Sequence, residues 1–411
     1  MTSASSHAAE HPLAKGGAGE LRMLLILSAL MAFTSLSTDI YLPAMPQMQR
    51  ELQGNVELTI TSFLIGFAFA QLIWGPVSDR IGRRRPLVIG VTLFVVGSVG
   101  CALSQTMGQM VFWRMFQAFG ACTGPMLARA MVRDLYPRTQ AAKTLSTLTV
   151  IMAVAPIIGP LLGGQIVRFG SWHGIFWLLA AVGAMMLLAL RELPETLPVA
   201  RRATTSTLNA FADYGALLGN AVFMRYTLCV TLFYVSAYAF ITGSPHVYIE
   251  YFHVAPQHYG WLFGLNIVGL MIVSLINRKL VSRFSLDTLL RAATVVAAVA
   301  MLACVGLAEM RVGGLLGIVA PVFVFFSMNG IIAASATAAA LDGVQPRLAG
   351  SAAALIGSLQ YGSGIVSSLL LAALSDGTPH TLIVVMAVFA VASATTAFWR
   401  RGSALAEAPP C

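Results

Sequence analysis

The sequence predicts an all-α membrane protein in which twelve transmembrane helices form two pseudo-symmetric bundles of six. Three observations carry this reading. Of the 411 residues, 57% are hydrophobic and only 10% are charged, whereas a water-soluble domain carries about 25% charged residues. A surface so poor in charge needs lipid as its solvent. Twelve apolar segments each approach the roughly 20 residues that cross a bilayer as a helix, and the short alternating segments of a membrane barrel are missing. The longest polar interval, Arg191 to Asn220, leaves six segments on either side.

In chain order the spans fall at about 21–43, 56–78, 86–104, 109–132, 142–167, 172–190, 222–243, 257–278, 288–308, 313–341, 349–374 and 380–400. The chain then divides into a disordered cytoplasmic tail (1–20), a first bundle (21–190), a cytoplasmic linker (191–220), a second bundle (221–400) and a cytoplasmic tail (401–411). The opening residues are polar and small, and the first apolar run is long enough to remain as a helix, so no cleaved leader is expected. A short internal match supports the halving. Asp134–Ala142 (DLYPRTQAA) resembles Leu341–Ala352 (LDGVQPRLAGSA), with Pro137-Arg138 echoed by Pro346-Arg347 ahead of a span rich in small residues. Facing surfaces of two such repeats enclose sites near the membrane midplane.

The formal net charge of +9 would suggest a polyanion partner in a soluble protein. Here the basic residues follow topology. Arg80, Arg83, Arg84, Arg85, Arg133, Arg138, Lys143, Arg278 and Lys279 fall in loops on one side, against Arg50, Arg168 and Arg311 on the other. The positive-inside rule places both termini in the cytoplasm, and no nucleic-acid partner is expected. Cys101, Cys122, Cys229 and Cys304 lie inside spans and read as small apolar residues, not disulfide or metal ligands. His246, His253 and His258 read as solvated loop histidines rather than a metal or pH-sensing cluster. The H-x-x-E-H pattern at His7–His11 reads as chance in a polar tail. The sequence holds no G-x-S-x-G, H-E-x-x-H or G-x-x-x-x-G-K-[ST], which argues against an enzyme and against an ATP-driven pump.

Asp39 stands apart as the one acid within the core of an apolar span, Met23–Pro43 (MLLILSALMAFTSLSTDIYLP). A carboxylate there costs about 2.5–3.5 kcal/mol on insertion and marks function. Arg114, in Val111–Gly120 (VFWRMFQAFG), lies about five residues from the outer end of the fourth span, and Asp39 about four from the outer end of the first. At a rise of about 1.5 Å per residue the two share one depth, so a partnership, direct or through water, is expected. Phe33, Tyr41, Phe67, Gln117, Tyr234, Tyr238, Asn266, Asn329, Gln360 and Tyr361 are candidate cavity residues. Asn266 and Gln360 lead, because buried amides need partners.

Two further stretches carry mechanism. In Gly75–Arg85 (GPVSDRIGRRR), Gly75 allows close helix approach and Asp79 is suited to accept from a helix N-terminus. Gly82 permits a tight turn, while Arg80, Arg83 and Arg84 are placed to pair with Asp79 or Asp134, forming a conformational latch. The second-half counterpart, Asn277–Arg283 (NRKLVSR), lacks the acid, so the latch is one-sided. In Ala155–Gly164 (APIIGPLLGG), Pro156 and Pro160 are expected to bend the helix, and Ala155, Gly159 and Gly163, followed by Gly164, give a small-residue stripe suited to a hinge between halves.

These stretches resemble motifs of the major facilitator superfamily: the signature loop (Gly75–Arg85), the second motif (Arg114, Gln117, Gly120) and the antiporter motif (Ala155–Gly164). TDIYLPAMP, FLIGFAFAQLIWGPVSDRIGRRRP and YGWLFGLNIVGL look like the Bcr/CflA drug-resistance branch, which includes chloramphenicol exporters. The resemblance covers nearly the whole chain. It implies the major facilitator fold, a proton-coupled role for Asp39 and a supporting role for Arg114. Glu57 departs from the pattern, where that branch has a neutral polar residue. The resulting expectation is a monomeric antiporter of the bacterial inner membrane, surrounded by lipid. It exports small, largely hydrophobic drugs (chloramphenicol-like or multidrug) by alternating access, with protons as coupling ion and no other cofactor. A proton-coupled importer of a metabolite shares the fold and is the alternative.

Overall fold

Polar residues at the span boundaries start many of the helices. Thr106, Asn220 and Ser285 turn their side-chain oxygens onto the amides of Gln109, of Val222 and Phe223, and of Thr288, at 3.1–3.3 Å, and each occupies backbone donors that a helix start leaves free. In the computed structural model, residues 18–202, 207–345, 348–374 and 377–399 are described. The tail pattern His7–His11, the repeat pair Pro346-Arg347, Cys411 and the tail 401–411 lie outside them.

The helices are α1 (Ala18–Asp39), α2 (Met45–Leu52), α3 (Glu57–Ile81), α4 (Arg84–Ala102), α5 (Met107–Ala121), α6 (Thr123–Leu135), α7 (Arg138–Phe169) and α8 (His173–Ala189). They continue with α9 (Thr207–Leu218), α10 (Ala221–Pro245), α11 (Pro256–Leu280), α12 (Leu286–Glu309), α13 (Leu316–Asp342), α14 (Ala349–Leu374) and α15 (Pro379–Phe398). Ten helical stretches are long and apolar enough to cross a membrane by themselves. The shorter α8 and the pair α5–α6 complete the twelve crossings expected.

Three departures from the expected spans have local causes. The first span stops at Asp39 and not at residue 43, since Pro43 lacks the amide that would bond back to Asp39. A 3₁₀ turn, Leu42–Ala44, and α2 follow. The fourth span breaks between α5 and α6 because Pro125 cannot donate to the carbonyl of Ala121; the Thr34 hydroxyl of α1 donates to it instead, at 3.2 Å. The polar interval 191–220 contains α9, whose Tyr214 and Leu217 are buried against Phe223, Ala352 and Ile356, and Tyr214 donates to the Leu72 carbonyl at 3.3 Å.

The packing repeats across the two halves. In the first, α1 packs on α6 and α7, and α4 on α5 and α8, while α3 packs on α5. In the second, α10 packs on α13 and α14, and α12 on α13 and α15, while α11 packs on α13. The halves meet through the matched pairs α3–α14 and α7–α11, which is the relation a pseudo-twofold axis imposes. One asymmetry stands out. α10 is joined to α15 by the Ser393 hydroxyl donating to Cys229 O and the Ser236 hydroxyl to Met386 O, both at 2.8 Å, whereas α1 and α8 touch only lightly.

Candidate functional site

The end of the bundle that holds the Gly82 turn is here called the basic end, and the opposite one the far end. At the far end the halves are in close contact. The 3₁₀ turn touches α10 and α11, and α2 touches the π-helical turn His246–Tyr251. The Thr61 hydroxyl donates to that of Ser368 at 2.7 Å across α3–α14. On α7, a Cβ at Gly164 would lie 2.6 Å from the Pro256 carbonyl of α11, and one at Gly163 would overlap the Ile40 carbonyl. Gly159 lies against the backbone of Ile40 and the Cβ of Asp39. The small-residue stripe therefore packs α7 onto α1 and, at its last member, onto the second half. α7 runs as one helix through both Pro156 and Pro160.

Asp39 ends α1 and is only 6% exposed. Among the described residues no ion pair or hydrogen bond engages its carboxylate. The 3₁₀ turn that follows it touches α10 and α11 of the second half, and its charge reaches Tyr238, Tyr259 and Tyr361 there, which places Asp39 beside the seam. Tyr238 and Tyr361 belong to an aromatic run that crosses it. Phe67 of α3 stacks on Tyr361 of α14 at 4.0 Å between centroids, and Tyr361, Tyr238 and Tyr234 follow at 6.2 Å steps.

The expected partnership of Asp39 with Arg114 is absent. Arg114 is wholly buried inside the first half. It donates to the Ser37 carbonyl at 3.1 Å and to Gln117 Oε1 at 2.6 Å, and its guanidinium lies 4.2 Å from the Tyr41 ring and 4.4 Å from that of Phe63. Ser37 is in the last turn of α1, where carbonyls lack helical donors and a cation is favoured. Charge-assisted bonds of about 1.5–3 kcal/mol each and ring contacts of about 2 kcal/mol when desolvated offset the about 2.5–3.5 kcal/mol that inserting an arginine costs, while Nε and Nη2 stay buried without a partner among the described residues. Arg114 meets the end of α1 at Ser37 and not at Asp39. Residues 37 and 39 differ by about 200° around a helix of 3.6 residues per turn.

The same burial sorts the candidate cavity residues. Tyr41 bonds Thr59 at 3.2 Å beneath Arg114, Gln117 spends its amide on Ser98 at 2.8 Å, and Phe33 packs on Phe94 at 4.2 Å. All three belong to the interior of the first half and not to the seam. Tyr234, Tyr238 and Tyr361 lie on the seam. Asn266, 2% exposed, and Asn329 each keep a buried amide oxygen without a partner. Gln360 is half-buried on α14, where its backbone carbonyl accepts from Ser363 at 2.6 Å. One residue escaped sequence reading. Arg129 of α6 is exposed, donates to Met152 Sδ at 3.8 Å, and acts electrostatically on Tyr234 and Tyr361. It lies beside α7 toward the basic end of α6. Its position a turn and a half inside the span was the available signal.

At the basic end Arg83 is the centre of the latch. It binds Asp79 at 2.5 Å, Asp134 at 2.9 Å and Ser78 at 2.8 Å. The role expected of Asp79 at a helix start is filled by Glu195 of the linker, which accepts from the amides of Arg83 (2.8 Å), Arg84 (3.2 Å) and Leu197 (3.0 Å). Glu195 lies on Gly82, whose φ of +96° favours glycine. Arg80 is exposed, and the Arg84 side chain donates to Arg191 O at 3.3 Å. Gly75 makes no close approach, since a Cβ there would meet nothing within 4 Å.

The family model described as Major Facilitator Superfamily matches residues 27–368. The chain belongs to that superfamily. It is a multi-pass membrane transporter and not an enzyme. This superfamily member is 36% identical to the uncharacterized MFS-type transporter YdgK of Bacillus subtilis over 86% of this chain and 89% of that one. It is 29% identical to the bicyclomycin resistance protein homolog of Haemophilus influenzae, over 90% and 94% of the two chains. It is also 29% identical to multidrug resistance protein D of Escherichia coli, over 85% and 88%. The resemblance to the Bcr/CflA branch thus holds. Among solved structures, a D-xylose–proton symporter superposes with a TM-score of 0.74 at 15% identity, covering 92% of this chain and 97% of that one. The xylose transporter of Escherichia coli in a partially occluded inward-open conformation gives 0.70 at 14%, covering 93% and 98%. At such identities the likeness describes the fold alone.

Proposed function

We propose that this transporter exports small, largely hydrophobic drugs across a bacterial inner membrane in exchange for protons, with the basic end in the cytoplasm. The observation that carries the reading is the unpaired, buried Asp39 facing the tyrosines of the other half. The multidrug and bicyclomycin resistance names of the relatives support drugs as the cargo class.

In the far-end-closed arrangement, Asp39 without its proton adds a negative charge to a site walled by Tyr234, Tyr238 and Tyr361. Cargo enters past Arg129 and stacks on these rings, and Asn266 and Asn329 offer the hydrogen bonds that fix its polar groups. After the halves rock, Asp39 takes a proton from outside, which removes the charge and releases cargo. The neutral carboxyl then lets the halves return, and the proton leaves to the cytoplasm. Cargo and proton bias the same equilibrium because each binds the two arrangements differently. The membrane potential adds about 2.3 kcal/mol per charge per 100 mV. Arg114 fixes the end of α1, and thereby the position of Asp39, without sharing its proton. The transporter works as a monomer in this scheme, since each chain holds both halves of the seam.

The test is Asp39→Asn in everted vesicles. Addition of cargo to the wild type releases protons from the vesicle interior, and the variant loses this release. Undiminished release from the variant refutes the coupling role.

A further inference from the structure

A second group of titratable residues lies at the far-end seam, apart from Asp39. Glu57 opens α3 in the first half, while His246 and Glu250 lie on the π-helical turn of the second. All three line one cavity of about 250 Å³. His246 Nδ1 is 2.6 Å from Glu250 Oε2, which fixes the ring. Its other nitrogen, Nε2, is buried with no partner, and so is Glu57 Oε2. The two groups act on one another electrostatically.

With Nδ1–H donated to Glu250, a neutral His246 presents a lone pair at Nε2. Glu57 presents a carboxylate oxygen to the same space, where Asn55 engages its carboxyl but leaves Oε2 without a donor, so two unpaired acceptors share one cavity. The Thr242 hydroxyl, also unpartnered there, serves at most one of them. A single added proton satisfies both: it binds Nε2, and the imidazolium then bridges Glu57 and Glu250, directly or through a water that the cavity can hold. We infer that Glu57, His246 and Glu250 form a proton-binding site at the far-end seam that holds the two halves closed.

The surroundings leave that assignment intact. α2 contributes Arg50 and Glu51, which line the adjoining open cleft of about 720 Å³ together with Glu250 and His253. Glu51 is engaged by Trp172 Nε1 at 2.6 Å. The start of α11 contributes His258 and Tyr259, and Tyr259 is bonded to Ser244 at 2.8 Å. Tyr248 and Tyr259 are buried phenols and bring no charge to the site. The cleft gives the site a path to the far-side solvent.

Rocking the halves apart takes Glu57 away from His246, so the open arrangement binds the proton less well. By linkage, acid on the far side favours closure. This rests on the alternating access proposed above and adds to it a proton site outside the cargo pathway, serving the return step.

The test uses Gln105→Cys and Val312→Cys, exposed positions in far-end loops of opposite halves, spin-labelled in nanodiscs with the five native cysteines replaced. The short-distance population rises as the pH is lowered. His246→Gln abolishes that rise, and Glu57→Gln and Glu250→Gln each shift its midpoint downward by about 1 pH unit, the scale of one nearby opposite charge. Every protein in the series carries Asp39→Asn, so the proposed coupling proton cannot contribute to closure. Persistence of the rise in His246→Gln overturns the inference. A rise that appears only when Asp39 is restored transfers the closing proton to Asp39, which sinks this site and leaves the proposed coupling standing.

Discussion

Arg114 donates to the carbonyl oxygen of Ser37 at 3.1 Å and not to the carboxylate of Asp39, two residues further along the same helix. The cation closes the end of α1 from within the first half, and the acid is left to the seam. Stability should follow this separation. Arg114→Gln forfeits two charge-assisted bonds and lowers stability by about 3 kcal/mol, at about 1.5–3 kcal/mol per bond. Asp39→Asn costs little, and the double variant should equal the sum of the two within about 0.3–0.5 kcal/mol, as for sites without shared partners. Reversible unfolding in mixed micelles measures the cycle. A coupling of about 1 kcal/mol or more would reinstate the ion pair.

How much of this was legible in the sequence depended on the kind of signal. Apolar length and basic-residue placement report on solvent and are local, so the twelve crossings and the central division could be read directly. Sequence position along a span gives depth, which is why Asp39 and Arg114 were placed at one level. Depth says nothing about which neighbour a side chain faces, and so Tyr41, Gln117 and Phe33 were assigned to the cavity while they pack within the first half. Glu195 was missed, and His246 was read as a solvated loop residue although it lies on the π-helical turn bonded to Glu250, for another reason. Each acts on a segment distant in sequence, Glu195 on the start of α4 and His246 on Glu57, and no local pattern records a tertiary contact.

The break in the fourth span makes a reciprocal prediction. Pro125 leaves the Ala121 carbonyl without its helical donor, and the Thr34 hydroxyl takes that place at 3.2 Å. Thr34→Val should cost about 0.6–1.7 kcal/mol, the range for hydrogen bonds between membrane helices. In a Pro125→Ala background the amide of residue 125 can serve Ala121, so the same change should cost less. An equal cost in both backgrounds, read from unfolding midpoints, would show that the hydroxyl does not substitute for the missing amide.

Two glycines of the sequence motifs should respond in opposite directions. A methyl group at Gly163 overlaps the Ile40 carbonyl, a backbone atom that cannot swing aside, while one at Gly75 meets open space. Gly163→Ala is therefore expected to cost about 1–3 kcal/mol by overpacking and to abolish transport by prising α7 from α1. Gly75→Ala, in the interior of α3, should raise stability by about 0.5–1 kcal/mol through the lower entropy of its unfolded chain. Melting of the two purified variants in detergent decides the matter, and destabilisation by both would mean that α3 makes a close contact at Gly75 in the arrangement measured.

Glu195 gives a pH-dependent prediction outside the membrane spans. Burial opposes its ionisation, but the amides of Arg83, Leu197 and Arg84 and the charge of Arg202 outweigh that effect and hold the carboxyl below its usual range. The sign follows from the depressed value. An unfolded glutamate titrates at about 4.3, so above that pH both states are ionised and the whole contribution is present; as pH falls through the lower folded value the contribution disappears. Replacing the carboxylate that serves the start of α4 should cost about 0.5–2 kcal/mol, the range for a helix cap. The melting difference between wild type and Glu195→Gln is therefore expected to stay constant from pH 8 to 6 and to shrink once the pH drops below about 4.3. A difference that grows on acidification would mean that Glu195 is held protonated in the folded chain, contrary to its three amide donors.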